Sequence, residues 1–141
     1  MERREFLKTS CALSFALGAG LVTGGLSSCS TAPIYETTVN ANTIRVSIAL
    51  FTEHAIHIIR AKDLGYDIGV ERHPDGSFTA LMLRCTHADN QLSVTGGGYF
   101  CPLHGSAFDK QGSVTHGPAQ RALQRLTTRV SATEIVIVLA E

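Results

Sequence analysis

Apolar and polar residues alternate along most of the chain after residue 42, which is the pattern of half-buried β-strands. In residues 43–50 the apolar positions are every second one: Ile44, Val46, Ile48 and Leu50. Residues 55–61 predict a second strand. Three hairpins are predicted around turn-forming residues, at 66–73 with 77–84, at 92–94 with 99–100, and at 127–130 with 134–139.

The predicted segments are short, rich in β-branched residues and bounded by turn residues. Only residues 120–127 are compatible with a helical turn. The pattern therefore predicts an all-β domain of about eight to ten short strands, without an internal repeat.

Composition narrows the class of protein. A chain of 141 residues with 44% hydrophobic content has room for one packed domain. Its 12 basic and 12 acidic residues cancel, whereas nucleic-acid binding is typical of a strong basic excess. Trp is absent and aromatic residues make up 6%, so a large aromatic binding surface is not expected.

The N-terminus has the features of a targeting segment. Arg3 and Arg4 precede Phe6-Leu7-Lys8, and residues 12–26 form a weakly hydrophobic run. The arrangement resembles a twin-arginine signal peptide, although Glu2 stands where Ser or Thr is usual. We predict a signal peptide over residues 1–28.

Cys29 ends the segment Leu26-Ser27-Ser28-Cys29, which resembles a bacterial lipobox. The resemblance implies lipidation of Cys29, with residues 29–42 as the lipidated N-terminus and a polar tether to a domain at 43–141. An uncleaved anchor is the alternative, but 15 residues span roughly 22 Å as a helix against a hydrocarbon core of about 30 Å. We therefore expect an exported lipoprotein held at a membrane, facing the periplasm or the cell surface.

Two short motifs carry the candidate chemistry. Cys11 lies in the predicted signal peptide and Cys29 in the lipobox-like segment. Cys85 and Cys101 are therefore the two cysteines of the predicted domain. The first motif is Cys85-Thr86-His87 and the second is Cys101-Pro102-Leu103-His104, with thirteen residues between His87 and Cys101. Each motif follows a predicted strand and supplies one thiol and one imidazole.

Three interpretations of these four residues compete. A tetrahedral Cys2His2 zinc site has the same ligand count, although structural zinc motifs usually pair like ligands. A disulfide between Cys85 and Cys101 would leave His87 and His104 without a role. In a Rieske [2Fe-2S] centre, two His replace two Cys on one of the two irons.

The residues resemble the Rieske family, whose loops read Cys-x-His and Cys-x2-His. The similarity continues through Gly105 and Ser106 to Phe108, and Gly117-Pro118 resembles the loop that covers the cluster in that family. The resemblance implies a Rieske-like fold of short antiparallel sheets, with both cluster-binding loops at one tip. It also implies that the cluster pocket and its hydrogen bonds involve Gly105, Ser106, Phe108, Gly117 and Pro118.

The resemblance implies a ligand set as well. Cys85 and Cys101 would bind one iron as thiolates, and His87 and His104 would bind the other as imidazoles exposed at the surface. Neutral ligands reduce the negative charge of the cluster, which raises the potential to about −150 to +300 mV, from about −400 mV in plant-type ferredoxins.

Two departures separate this chain from respiratory Rieske proteins. Those proteins have a disulfide between the loops, at the positions that Asn90 and Leu103 occupy here. They also have Ser and Tyr hydroxyls as hydrogen-bond donors to the cluster sulfurs. Ser106 matches the Ser, but Phe108 lacks the hydroxyl of the Tyr, so we expect an intermediate potential.

We therefore predict a one-electron transfer protein with a Rieske-type [2Fe-2S] cluster, exported and tethered to a membrane, without substrate turnover of its own. Export of folded cargo by the twin-arginine route fits a cluster that is assembled in the cytoplasm. A redox partner would dock at the cluster tip. The alternatives are a small subunit of a larger oxidoreductase, either arsenite-oxidase-like or quinol-oxidising, and a lipoprotein with structural zinc.

Overall fold

The computed structural model describes residues 32–139, which form eleven strands and one short 3-10 helix. Two sheets contain all the strands. The base sheet has seven strands in the order β1-β3-β4-β5-β10-β11-β2, and the tip sheet has four in the order β6-β7-β8-β9. The bounds are β1 Ile34–Thr37, β2 Thr43–Ser47, β3 Ile56–Ala61, β4 Ile68–Arg72, β5 Phe78–Met82, β6 Ser93–Thr95, β7 Gly98–Phe100, β8 Ala107–Asp109, β9 Val114–His116, β10 Arg125–Val130 and β11 Glu134–Val138.

All three predicted hairpins are present. Strands β4 and β5, β6 and β7, and β10 and β11 pair antiparallel across the expected turns. The nearly all-β architecture confirms the predicted fold class.

The alternating apolar residues of the base sheet form the larger core. Each of its strands except β1 buries at least one apolar residue in this core, and in β2 and β11 the buried residues are every second one, as half-buried strands require. These residues include Ile44, Val46, Ile68, Val70, Ile135 and Ile137.

A second core joins the tip sheet to the other face of the base sheet. Leu81 lies in β5 and Leu83 follows directly after that strand. Both leucines pack with Tyr99 of β7 and Phe108 of β8. Gly69 of β4 makes this approach possible, because a Cβ there would lie 2.9 Å from the Tyr99 hydroxyl. The tip sheet is therefore held in place by apolar packing on β4 and β5.

Two predicted elements differ from the structure. Residues Ile48–Thr52 form a 3-10 helix in place of the end of a strand, and Ser47 caps it by accepting a hydrogen bond from the Ala49 amide at 3.3 Å. This turn buries Phe51 against the rings of His57 and Phe78. Residues 120–127 contain no helical turn, because β10 starts at Arg125 and pairs with β5.

The predicted tether is wrong for residues 34–37. These residues form β1, which pairs in parallel with β3, so they belong to the folded domain. Strands β8 and β9 are three residues each, too short to give an alternating pattern in the sequence. The proposed signal peptide and Cys29 lie outside the described residues, and within residues 32–139 no helix is long and apolar enough to cross a membrane.

Candidate metal centre

The first motif occupies a loop that leaves the base sheet after β5. An antiparallel bridge between Arg84 and Gln91 closes the base of this loop. Inside it, the Cys85 amide donates a hydrogen bond to the Asn90 carbonyl at 2.8 Å. The loop therefore holds Cys85 buried at its base and leaves His87 exposed at its end.

The second motif occupies the connection between β7 and β8. The Cys101 amide donates to the Ser106 carbonyl at 2.8 Å, and the Gly105 amide donates to the Cys101 carbonyl at 2.9 Å. Gly105 has a φ of 81°, a left-handed conformation that glycine adopts without steric cost. This tight turn buries Cys101 and leaves His104 exposed.

A third loop packs on both motifs. The Ala119 amide donates to the Ser106 hydroxyl oxygen at 3.0 Å, and the Thr86 hydroxyl donates to the Arg121 carbonyl at 2.6 Å. Gly117 and Pro118, which precede Ala119, are exposed, and the peptide bond between them is cis. The segment that follows the Gly-Pro pair is thus hydrogen-bonded to both ligand loops.

The four candidate ligands form two pairs of different character. Cys85 and Cys101 are completely buried, unbonded thiols, and the Cys101 thiol lies within hydrogen-bonding reach of Cys85. The rings of His87 and His104 are exposed, with centroids 4.9 Å apart and planes at 85°. Among residues 32–139, no three His, Cys, Asp or Glu side chains meet at a single point. The sulfur pair is inside the protein and the imidazole pair is at the surface.

Hydrogen bonds favour the thiolate form of Cys85. Burial opposes ionisation of this thiol, but donors from the His87 and Ala88 amides, Cys101 and Ser106 outweigh burial and lower its pKa below the ordinary value. The thiolate is the form of cysteine that binds metals. The local structure therefore prepares Cys85 to act as an anionic ligand.

Comparison with known proteins identifies this arrangement. A family model described as Rieske [2Fe-2S] domain matches residues 42–129, which include all four candidate ligands. The chain belongs to the Rieske [2Fe-2S] domain family. Members of this family bind a [2Fe-2S] cluster with two Cys on one iron and two His on the other.

Relatives of known sequence and structure agree with the family. The chain is 30% identical over 89 residues to the mitochondrial cytochrome b-c1 complex Rieske subunit of Rattus norvegicus, and 32% identical to that of Gorilla gorilla gorilla. Each match covers 61% of this chain and 32% of the relative, so the similarity spans about a third of their length.

Solved structures with the same fold were also found. The cyanobacterial plasma membrane Rieske protein PetC3 from Synechocystis PCC 6803 matches with a TM-score of 0.56 and 26% identity, over 67% of this chain and 97% of that chain. A complex of reduced oxygenase and oxidized ferredoxin in carbazole 1,9a-dioxygenase contains a chain with a TM-score of 0.52 and 23% identity, over 71% of this chain and 95% of that chain.

The residues present fit a Rieske cluster. Each iron of such a cluster takes two protein ligands of one kind, which is how the buried thiols and exposed imidazoles are arranged. The absence of a bond between Cys85 and Cys101 contradicts the disulfide alternative. The assignment to a [2Fe-2S] domain family also argues against the zinc alternative.

Asn90 is a site residue whose contact the sequence did not reveal. It stands where respiratory members of the family have a bridging cysteine, and its carbonyl binds the Cys85 amide. Its side-chain amide donates to the Cys101 sulfur at 3.9 Å. The side chain of Asn90 therefore connects the two ligand loops through one hydrogen bond, where those relatives have a disulfide.

We expect Asn90→Leu to lower the midpoint potential. The substitution keeps a side chain of similar size but removes the amide donor to the Cys101 sulfur, and donors stabilise the more negative reduced state. Asn90→Asp should lower the potential further, since a carboxylate adds negative charge beside the sulfur. Protein-film voltammetry measures both values, and a potential that is unchanged in the two variants would contradict this role.

We expect Phe108→Tyr to raise the midpoint potential. Phe108 is 2% exposed and packs in the same core as Cys85 and Cys101, so a hydroxyl on its ring adds a donor inside the site. A hydrogen bond that stabilises the reduced state by about 1 kcal/mol more than the oxidised state raises the one-electron midpoint potential by about 40 mV. Phe100→Tyr, on the exposed side of the tip sheet, is the control and should leave the voltammetric potential unchanged. If Phe108→Tyr and Phe100→Tyr had the same midpoint potential, the expected effect of a hydroxyl donor at position 108 would be contradicted.

Proposed function

We propose that this protein is an exported, membrane-tethered one-electron carrier. The observation that carries the electron-transfer function is the pair of buried cysteines behind a pair of exposed histidines, in the loops of a Rieske domain. Export and tethering are supported by the resemblance of residues 1–28 to a twin-arginine signal peptide and by Cys29 in its lipobox-like segment.

The chain's own residues divide the work of electron transfer. When bound, a [2Fe-2S] cluster would supply one-electron redox chemistry at this site. Cys85 and Cys101 hold one side of the site away from water, while His87 and His104 face the solvent and give a partner its shortest approach. Leu103, next to His104, is 55% exposed and provides an apolar contact for a docking protein.

A subunit of a larger oxidoreductase is the second candidate. It is favoured by the relatives, which are Rieske subunits of the cytochrome b-c1 complex. In this case the partner bound at the cluster tip is a large subunit or a quinol-oxidising protein, and the assembly catalyses the overall reaction.

Three measurements test the proposed function. Low-temperature electron paramagnetic resonance of the reduced protein should give the signal of a reduced [2Fe-2S] cluster, and an iron-free, colourless protein would overturn the electron-transfer function. Mass spectrometry of the mature N-terminus should find a lipid on Cys29, and Cys29→Ser should release the protein from membranes. Size-exclusion chromatography of solubilised native membranes separates a free carrier from a subunit.

A further inference from the structure

His87 is exposed near the end of the first ligand loop, so its position depends on how the backbone is held on either side of it. On the N-terminal side, the Thr86 hydroxyl donates a hydrogen bond to the Arg121 carbonyl of the third loop at 2.6 Å. On the C-terminal side, the Tyr66 hydroxyl donates to the Asp89 carbonyl at 2.7 Å. His87 therefore lies between two points at which other segments of the domain hold the loop.

The restraint on Asp89 acts on an unusual backbone conformation. Its φ of 21° is positive, which is uncommon for a residue other than glycine. Among residues 32–139, the side chains bonded to Asp89 are Tyr66 and Arg84, whose Nε lies 3.2 Å from the Asp89 carboxylate. Arg84 is at the base of the same loop, and its ion pair contributes little because the two side chains are 51% and 74% exposed. Tyr66 is thus the side chain that holds Asp89 from outside the loop.

The segment that carries Tyr66 is itself attached to the base sheet. Tyr66 lies in the connection between β3 and β4, and the next residue, Asp67, is buried. The Asp67 carboxylate accepts two hydrogen bonds from Arg60 of β3, at 3.0 and 2.8 Å. The Asp67 carbonyl accepts the Leu83 amide at 2.9 Å, and the Asp67 amide donates to the Gln91 side chain at 3.0 Å. Leu83 precedes the first ligand loop and Gln91 ends it, so this connection is bonded to both ends of the loop.

We infer that Tyr66 is a positioning residue for His87. Its hydroxyl holds the C-terminal half of the first ligand loop, and thereby sets the orientation in which the His87 imidazole meets a bound cluster. The inference rests on the proposed electron-transfer function, in which His87 is a ligand. Groups outside the ligand set commonly orient metal-binding side chains in this way. The described residues contain no disulfide, so noncovalent contacts such as this one restrain the loop.

Tyr66→Phe removes the hydroxyl and keeps the ring, whose centroid lies 5.8 Å from the Arg84 guanidinium carbon. The holoprotein with this change is compared with the natural chain by pulsed electron paramagnetic resonance of the reduced cluster. This measurement resolves the magnetic couplings of the two coordinated histidine nitrogens, which depend on the orientation of each imidazole and not on the stability of the fold. The rate at which a chelator removes iron is measured in parallel.

Two control variants separate the hydroxyl of Tyr66 from other effects. Tyr35→Phe is the matched control, because Tyr35 is also partly buried but its hydroxyl makes no hydrogen bond within residues 32–139. Asp89→Asn removes the ion pair with Arg84 and keeps the carbonyl that Tyr66 binds. Both controls should keep the two natural nitrogen couplings.

We expect one nitrogen coupling to change in Tyr66→Phe while the other keeps its natural value. Iron should be removed about fivefold faster, the factor that corresponds to one hydrogen bond of ordinary strength. Two natural couplings in Tyr66→Phe would overturn the inference even if iron were lost faster, because the hydroxyl would then stabilise the loop without orienting His87. An equal change in Asp89→Asn would overturn it too, since the carboxylate would then be what holds the loop. A natural chain without a [2Fe-2S] signal would instead overturn the proposed electron-transfer function.

Discussion

Gly98→Ala is expected to destabilise the domain by about 3 kcal/mol or more and to prevent stable cluster binding. Gly98 begins β7 with a φ of 153°, where side chains are rarely accommodated. An added Cβ would lie 2.1 Å from the Phe108 carbonyl oxygen and 2.9 Å from the Asp109 Cα. Both are backbone atoms of β8, so relief of the clash requires the two strands to separate.

The separation of β7 from β8 would reach the metal site directly. Tyr99 and Phe108 are paired across these strands and belong to the core that contains both cysteine ligands. The connection from β7 to β8 is also the loop that holds Cys101 and His104.

Urea unfolding and the iron content of the purified protein measure the effect of Gly98→Ala. Gly97→Ala is the matched control, because a Cβ at Gly97 has no atom within 4 Å and the residue lies in the turn directly before β7. Similar losses of stability in the two variants would show that the turn, and not the close approach to β8, is what requires glycine.

Ser106→Ala is expected to lower both stability and midpoint potential. The Ser106 hydroxyl is completely buried, accepts the hydrogen bond of the Ala119 amide and contributes to the lowered pKa of Cys85. Its removal leaves a buried amide of the third loop without an acceptor, at a cost of about 1–3 kcal/mol. The loss of its donor to sulfur also disfavours the reduced cluster, by a few tens of mV.

Denaturant titration and protein-film voltammetry separate the two effects of Ser106→Ala. Ser93→Ala, at an exposed position of β6, should change neither quantity. A variant that is less stable but has the natural potential would limit Ser106 to holding the third loop. A variant with neither change would contradict both of its hydrogen-bonding roles.

The amino-acid pattern predicted the fold class and the three hairpins that the structure shows, and it singled out the four candidate ligands. These features are local: alternation reports which face of a strand is buried, and turn residues mark where the chain reverses. The Cys-x-His and Cys-x2-His motifs are likewise read from neighbouring residues, and the order of those ligands along the chain identifies the family.

Features that depend on distant partners were decided by the tertiary structure. Residues 34–37 look like a polar tether until β3 supplies a parallel partner, and Arg125 and Leu126 are extended because β5 pairs with them. The contact between Asn90 and the Cys101 sulfur arises only when the two loops meet. Hydrogen bonds and packing between segments far apart in sequence leave no periodic signal in either segment, so only the folded chain reveals them.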